Sequence, residues 1–231
     1  MVPMKRRAVV TLNIGDREEA KVSKPFFECY CRRHHLEWIV IAKRRLHLKP
    51  NFWKPRLGIH LEKFQMADLF DQYERVAYVD SDVLMHPEAP DVFAEVGADE
   101  IGCVYEDVGP DAWKREEEWS KAEAMFGPLP EKHRYFNAGV LIFGRGHKPL
   151  FDLDHGLPGG RWPDQTFFNY HSRKLNMRIR ELPQSFNFLP IFPGWGEPSV
   201  RRKQYFVHYA GRENKAQMLT DAGSFNLKKM S

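Results

Sequence analysis

The chain has 231 residues, of which 42% are hydrophobic and 13% aromatic, so it can bury the core of one large globular domain or two small ones. The formal net charge of +4 and the short, scattered basic clusters exclude the charge excess that is typical of nucleic-acid-binding proteins. We therefore expect no nucleic-acid partner, although the clusters would permit peripheral contact with a membrane or an anionic acceptor.

Cysteine usage and hydropathy indicate the compartment. The three cysteines, Cys29, Cys31 and Cys103, form no CxxC pair, which argues against a disulfide framework. No apolar run approaches the length of a membrane span, and the basic residues near the start lead into a strand pattern rather than a signal-peptide core. These features predict a cytoplasmic protein with reduced thiols.

A strand, a helix and a second strand are predicted at the start of the chain. Residues 8–12 form an apolar run that ends at an Asn- and Gly-containing turn. Asp16 is expected to cap a helix that reaches Tyr30, with Pro25 limiting its regularity. Residues 38–42 are expected to form a second buried strand. This spacing predicts a βαβ unit with a parallel sheet, which binds ligands at the carboxyl ends of its strands.

The stretch at residues 75–84 combines a buried strand with two carboxylates. A β-branched and aromatic run is followed directly by Asp80-Ser81-Asp82. Two acids at a strand end can share one divalent cation through oxygen ligands, and that cation would attract a diphosphate. A simple Asx-rich turn fits the same residues, because Asp and Ser bind their own backbone.

Further elements are predicted on both sides of this strand. Residues 47–56 are expected to form a loop and residues 59–70 a helix, on which Lys63 is most simply an exposed lysine. A short helix over residues 92–96 and a strand over residues 101–105 follow.

The second half of the chain supplies more polar side chains near predicted strand and helix ends. A helical insertion is expected over residues 113–125, where it would cover the site, and a strand over residues 135–143. Asn137 and Gly139 at the start of that strand would allow a sugar ring to approach closely, or they form an ordinary turn.

A helix over residues 163–170, an edge strand over residues 177–182 and a last strand over residues 205–208 complete the pattern. Asp164 lies in the first helical turn, where a carboxylate is favoured by the helix dipole, so alone it is most simply a cap. His208, taken alone, is most simply a packed core histidine.

In order, these pieces resemble the retaining glycosyltransferases of the GT-A fold, in particular family 8, the glycogenin and galactosyltransferase-like enzymes. The resemblance runs through residues 54–82, Phe136-Asn137-Ala138-Gly139-Val140, Asp164-Gln165 with Asn169, Phe186-Asn187 and residues 207–212. It implies an α/β fold: a Rossmann-like nucleotide-diphospho-sugar transferase with a central, mostly parallel sheet flanked by helices. Residues 1–231 would form a single domain, with a nucleotide-binding part at about 1–105 and an acceptor part at about 106–231.

The resemblance also implies roles for individual residues. Asp80, Asp82 and His208 look like ligands of Mn²⁺ or Mg²⁺, which fits a hard to borderline ion. The donor nucleotide-sugar would be bound by a set of residues from several elements: Thr11, Leu12, Asn13, Lys63, Ser81, Asn137, Gly211 and Arg212 or Lys215. Lys63, Asp164 and Gln165 would serve catalysis.

Two positions depart from the family pattern. The family's phosphate-binding lysine falls on Asn214 here, so Lys215 or Arg212 would have to neutralise the leaving diphosphate. No tyrosine lies between Asn187 and Trp195, near where self-glucosylating members carry one, so we expect no self-priming.

The activity implied is transfer of a hexose from a UDP-sugar to a hydroxyl of a glycan or other acceptor, with retention at the anomeric carbon. Two alternatives stay open. A haloacid-dehalogenase-type phosphatase would use Asp80 as its nucleophile. A non-catalytic nucleotide-sugar-binding module would bind the donor without turning it over.

Overall fold

The computed structural model describes residues 6–46, 55–109, 111–131, 134–154 and 156–225. Its strands are β1 (Arg7–Leu12), β2 (Glu37–Ile41), β3 (Arg75–Val79), β4 (Val83–Met85), β5 (Glu100–Cys103), β6 (Val140–Gly144), β7 (Arg178–Glu181) and β8 (Phe206–His208). Its α-helices are α1 (Glu18–Arg33), α2 (Trp113–Phe126), α3 (Pro163–Lys174), α4 (Pro198–Arg201) and α5 (Lys215–Ser224). The 3₁₀ segments are Pro55–Asp71, Val92–Ala94, Arg145–Phe151, Gln184–Phe186 and Arg212–Asn214.

Six strands form the central sheet in the order β2-β1-β3-β6-β5-β7. β1 is parallel to β2 and β3, and β5 is parallel to β7, whereas β6 is antiparallel to both of its neighbours. Five strands therefore point the same way and end at one edge of the sheet. This arrangement confirms the predicted α/β class with a mostly parallel sheet.

Both faces of the sheet are buried, because successive side chains of a strand point to opposite faces. On one face Val9, Ala77 and Ile142 pack in a cluster with Phe27 of α1. The neighbouring residues Val10, Tyr78 and Leu141 pack on the other face, in a cluster that includes Phe64 and Phe168. The near-continuous apolar runs of β1, β3 and β6 are the sequence signature of this two-sided burial.

A second, two-stranded sheet lies beyond the end of β3. β4 follows Asp80-Ser81-Asp82 and pairs antiparallel with β8, so that Val83 is in register with His208. This pairing places β8 at the carboxyl edge of the central sheet.

Several element predictions are corrected by the structure. Asp16 is not the cap of α1: it has a φ of 50° and an ion pair with Lys21, while Arg17 occupies the N-cap without a side-chain hydrogen bond. α1 continues through Pro25 without a break. β2 is not buried, because it is the edge strand of the sheet and each of its five residues is half-buried or exposed.

Other predicted elements differ from the observed ones in type or extent. The helix expected over residues 59–70 is the 3₁₀ segment Pro55–Asp71, and the strand expected from residue 135 begins at Val140. The short helix at residues 92–96 is Val92–Ala94, capped by the side chain of Asp91. Of the loop expected over residues 47–56, residues 47–54 lie outside the described ranges. Within those ranges, no helix is both long and apolar enough to cross a bilayer.

Candidate functional site

Three potential metal ligands meet at the carboxyl edge of the sheet. Asp80 and Asp82 follow β3, and the pairing of β4 with β8 places His208 beside them. One donor atom from each of the three residues lies within 4.8 Å of the others. His208 Nε2 is 3.3 Å from Asp82 Oδ1 and 3.8 Å from Asp80 Oδ2. His208 is therefore brought to the two acids, as the resemblance implied, rather than serving as an isolated core histidine.

The far side of the His208 ring is held by an asparagine pair. His208 Nδ1 lies 2.9 Å from Asn187 Oδ1, an acceptor, so this nitrogen carries the proton. Asn187 Nδ2 in turn donates to Asn137 Oδ1 over 3.0 Å. Nε2 faces the two carboxylates and is the nitrogen that would bind a cation there. Such an outer hydrogen bond is the usual partner of a metal-binding histidine, so these residues fit a divalent cation.

Gly139 makes room for the imidazole. A Cβ atom at this position would lie 2.1 Å from His208 Cε1, far closer than van der Waals contact. The backbone at Gly139 also tethers the first acid, because the Asp80 amide donates to the Gly139 carbonyl over 2.7 Å. Glycine is therefore required here by the approach of the histidine.

Lys63 is buried within the site, which overturns its interpretation as an exposed lysine. Its side chain is 3% exposed, and Nζ lies 2.9 Å from Asp164 Oδ2 and 3.6 Å from Asp80 Oδ1. Nζ also donates to the Ala138 carbonyl over 3.0 Å. Burial alone would lower the pKa of Lys63, but the attraction of Asp164 and Asp80 outweighs it and raises the pKa. Lys63 thus remains charged and links the metal-ligand group to α3.

A second buried carboxylate, which the sequence did not single out, organises the other wall. Glu106 Oε1 accepts hydrogen bonds from Gln165 Nε2 over 2.7 Å and from Arg115 Nε over 3.1 Å. Its Oε2 accepts from Asn137 Nδ2 over 2.8 Å. Gln165 Oε1 accepts from the Ala138 amide over 2.8 Å, so this side chain is fixed at both ends. Asn137, Gln165 and Arg115 therefore share one anchor.

The two cations after His208 are in different environments. Lys215 Nζ donates to Asp82 Oδ2 and to the Tyr209 carbonyl, whereas Arg212 is exposed on the short 3₁₀ segment beyond Gly211. Burial alone would raise the pKa of Asp82, but His208 and Lys215 outweigh it and hold that pKa below its usual range. Lys215 is thus the cation in contact with the acidic motif.

These groups line two neighbouring hollows. A cleft of about 460 Å³ contains Asp80, Asp82, His208, Lys63 and the Glu106 network, with Gly211 at its edge and Trp162 beside Arg115. A smaller pocket of about 200 Å³ is lined by Thr11, Asn13 and Ser81. Leu12 points instead into the core cluster that contains Val10 and Tyr78. Of the residues predicted to flank the nucleotide, Thr11 and Asn13 therefore reach a pocket and Leu12 does not.

No protein-family model matches this sequence, and no curated protein does. The fold, in contrast, is that of the GT-A glycosyltransferases. A glycosyltransferase involved in glycosylation of the major capsid of PBCV-1 superposes with a TM-score of 0.62 at 14% identity, covering 93% of this chain and 99% of its own. The galactosyltransferase LgtC, solved with donor and acceptor sugar analogs, gives 0.54 at 15% identity, covering 95% and 96%. Mouse xyloside xylosyltransferase 1 gives 0.52 at 14%, covering 90% and 98%.

Proposed function

We propose that this protein is a metal-dependent glycosyltransferase that moves a hexose from a UDP-sugar to a hydroxyl of a glycan or other acceptor, with retention at the anomeric carbon. The observation that carries the proposal is the convergence of Asp80, Asp82 and His208 on a cleft that also holds Lys63 and Asp164. The likeness of the whole fold to solved glycosyltransferases supports the reaction class. The family, the donor and the stereochemistry rest on the sequence resemblance.

In this proposal Asp80, Asp82 and His208 hold Mn²⁺ or Mg²⁺, which when bound would neutralise charge on the donor diphosphate. Asn187 keeps the His208 ring turned toward the carboxylates. Lys215, already beside Asp82, adds a positive charge where the leaving group develops negative charge. Electrostatic stabilisation of this kind usually supplies the largest part of a rate enhancement.

The opposite wall of the cleft would position the sugar. Asn137, Asp164 and Gln165 are buried and fixed by Glu106 and Lys63, so their polar groups are preorganised. The acceptor hydroxyl would attack from the face of the leaving group, and its proton would pass to the departing phosphate oxygen. No residue of the chain then needs to act as a nucleophile.

The phosphatase alternative would make Asp80 a nucleophile. Asp80 Oδ1 instead accepts a hydrogen bond from the Tyr78 hydroxyl and lies 3.6 Å from Lys63 Nζ, contacts that hold it beside Asp82 and His208. These neighbours favour a ligand role for Asp80.

The first experiment is a thermal shift with UDP, GDP, CMP and ADP, each with and without Mn²⁺. A ligand at a hundred times its dissociation constant stabilises by about 2.7 kcal/mol, which gives a clear rise in Tm. We expect a rise that needs both UDP and the metal in the wild type and is absent in Asp82→Ala, whose melting without ligand reports its fold. Binding of UDP without transfer from any UDP-sugar would favour the non-catalytic module, and phosphatase turnover without nucleotide binding would overturn the proposal.

Retention is tested separately. The anomeric configuration of the first-formed product, followed by proton NMR with an acceptor or with water, should match that of the donor. An inverted product would leave glycosyl transfer in place and overturn the retaining assignment.

A further inference from the structure

The two oxygens of the Asp80 carboxylate have different neighbours. Oδ2 lies 3.8 Å from His208 Nε2, the nitrogen that faces both acids. Oδ1 accepts a hydrogen bond from the Tyr78 hydroxyl and lies 3.6 Å from Lys63 Nζ, which is too far for a hydrogen bond. Asp80 therefore turns one oxygen toward the metal-ligand group, while Tyr78 holds the other.

The core of the protein fixes the direction of the Tyr78 hydroxyl. Tyr78 lies in β3, in register with Leu141 of β6, and its side chain is fully buried. Lys63 Nζ lies 4.6 Å from the centre of its ring, and Asp164 holds Lys63 in turn. A carboxylate only accepts hydrogen bonds, so the phenol is the donor. The plane of the Asp80 carboxylate is thus set by a side chain that does not itself reach the cleft.

The number of oxygens that Asp80 offers bears on which ion the cleft can hold. Its backbone is fixed as well, because the Asp80 amide donates to the Gly139 carbonyl over 2.7 Å, so the carboxylate presents Oδ2 alone to a cation. Ca²⁺ takes about 6–8 oxygen ligands in flexible geometry and often uses both oxygens of a carboxylate. Mg²⁺ demands a near-ideal octahedron, and Mn²⁺ also suits an octahedral site. A carboxylate held to one oxygen therefore favours the smaller ions.

We propose that Tyr78 is a positioning residue that keeps Asp80 a one-oxygen ligand and so makes the site prefer Mn²⁺ or Mg²⁺ to Ca²⁺; the inference rests on the proposed function. Without the hydroxyl, the carboxylate can turn about its Cβ–Cγ bond and present both oxygens. A small ion then loses a ligand whose direction was fixed in advance, whereas Ca²⁺ gains a possible ligand. The hydroxyl of Tyr78 acts through Asp80 and need not touch the ion.

The test removes one hydroxyl and keeps the ring. Tyr78→Phe leaves an aromatic face for Lys63 and deletes only the donor to Asp80. The matched control is Tyr170→Phe, a buried tyrosine of α3 whose hydroxyl donates to the Gly127 carbonyl over 2.7 Å. Electron paramagnetic resonance of free Mn²⁺ gives the Mn²⁺ dissociation constant, and displacement of bound Mn²⁺ by Ca²⁺ gives that of Ca²⁺. Both are measured without nucleotide and with UDP, and a thermal melt checks that each variant is folded.

We expect the wild type and Tyr170→Phe to bind Mn²⁺ more tightly than Ca²⁺. In Tyr78→Phe the Mn²⁺ dissociation constant should rise about tenfold, as for loss of other outer hydrogen bonds, while that of Ca²⁺ does not rise, so the preference narrows. A general loss of structure would weaken both ions alike. An unchanged ratio of the two constants in Tyr78→Phe would therefore overturn the positioning role and leave the proposed function standing. A wild type that binds no Mn²⁺, with or without UDP, would overturn both.

Discussion

His208 Nδ1 lies 2.9 Å from Asn187 Oδ1, on the ring edge opposite the two carboxylates. We expect Asn187→Ala to weaken Mn²⁺ binding by about 10–100-fold, because loss of an outer hydrogen bond frees the ring orientation and tautomer of a metal ligand. Titration of Mn²⁺ followed by electron paramagnetic resonance measures the change. Gln204→Ala, which removes an amide that donates to the Val200 carbonyl in α4, is the control. Equal Mn²⁺ affinity in Asn187→Ala and wild type would contradict the assignment.

Gly139→Ala should displace His208, because the new Cβ would lie 2.1 Å from its Cε1. We expect loss of the metal-dependent UDP shift and a decrease of about 1–3 kcal/mol in the free energy of unfolding, as for other overpacked sites. Gly146→Ala is the matched control, since a Cβ there meets no atom within 4 Å. Denaturant unfolding and thermal shift report the two effects. A Gly139→Ala protein with the metal affinity of the wild type would show that the histidine is not a ligand.

A comparison of Lys215→Met with Arg212→Met shows which of the two cations stabilises the leaving diphosphate. Lys215 contacts Asp82, while Arg212 is exposed, so loss of Lys215 should reduce kcat by about 10²–10³-fold if it stabilises the leaving diphosphate. Arg212→Met should change kcat by less than about threefold, as expected for a screened surface charge. Turnover of a UDP-sugar identified by the nucleotide screen provides the measurement. The reverse order of effects would assign the role to Arg212.

Glu106→Gln tests the anchor of the sugar-facing wall. A glutamine offers one acceptor oxygen where Glu106 offers two, so its NH₂ group would confront a donor of Asn137, Gln165 or Arg115. We expect kcat to fall at least about tenfold through misplaced sugar contacts, with Mn²⁺ and UDP affinity unchanged. Steady-state kinetics and calorimetry check both parts. Weaker UDP binding at an unchanged kcat would place Glu106 in nucleotide binding instead.

Arg201 and Asp221 form a buried ion pair that attaches α5 to α4. Arg201 Nε lies 2.5 Å from Asp221 Oδ2, and the Tyr209 hydroxyl donates to the same oxygen over 2.7 Å. Asp221→Asn should cost about 3–5 kcal/mol in unfolding free energy, because it leaves the guanidinium without its counter-charge. Burial would raise the pKa of Asp221, but the hydrogen bonds from Arg201 and Tyr209 outweigh it and lower the pKa below 3.8.

The lowered pKa of Asp221 makes the free energy of unfolding depend on pH. Because the folded pKa of Asp221 is below the unfolded one, its contribution is present above about pH 4 and is lost as the pH falls through the folded value. The difference in unfolding free energy between wild type and Asp221→Asn should therefore shrink between pH 7 and pH 3 in urea titrations. A difference that stayed constant over this range would contradict the lowered pKa.

The architecture was predictable from the sequence where local signals were strong. The apolar runs of β1 and β3 and the acids that follow β3 indicated a parallel sheet with polar side chains at its carboxyl edge, and the fold is confirmed. The ordered motifs also indicated His208, although it lies far from Asp82 in the sequence. The structure brings the three side chains together through the pairing of Val83 with His208.

Other features depend on contacts that no local pattern encodes. Lys63 looked exposed because its partners, Asp164 and Ala138, come from distant segments. Glu106 follows β5 at the same carboxyl edge, so the rule that identified Asp80 would also have indicated it. Asp16 has the right residue type for a helix cap, but its backbone is left-handed and the N-cap lies one residue later, at Arg17.

β6 runs antiparallel to its neighbour β5 in the central sheet. Because β5 ends and β6 begins at the same edge of the sheet, the excursion between Cys103 and Val140 leaves and returns on one side. Apart from Glu106, Arg115, Asn137 and Gly139, which the site uses, its length and composition can vary without shifting the register of either strand. Replacing the middle of this excursion, with Glu106, Arg115 and residues 137–139 kept, would change the cover of the cleft and leave the contacts of Asp80 and His208 with Gly139 intact, so acceptor preference can be engineered separately from the metal-binding group.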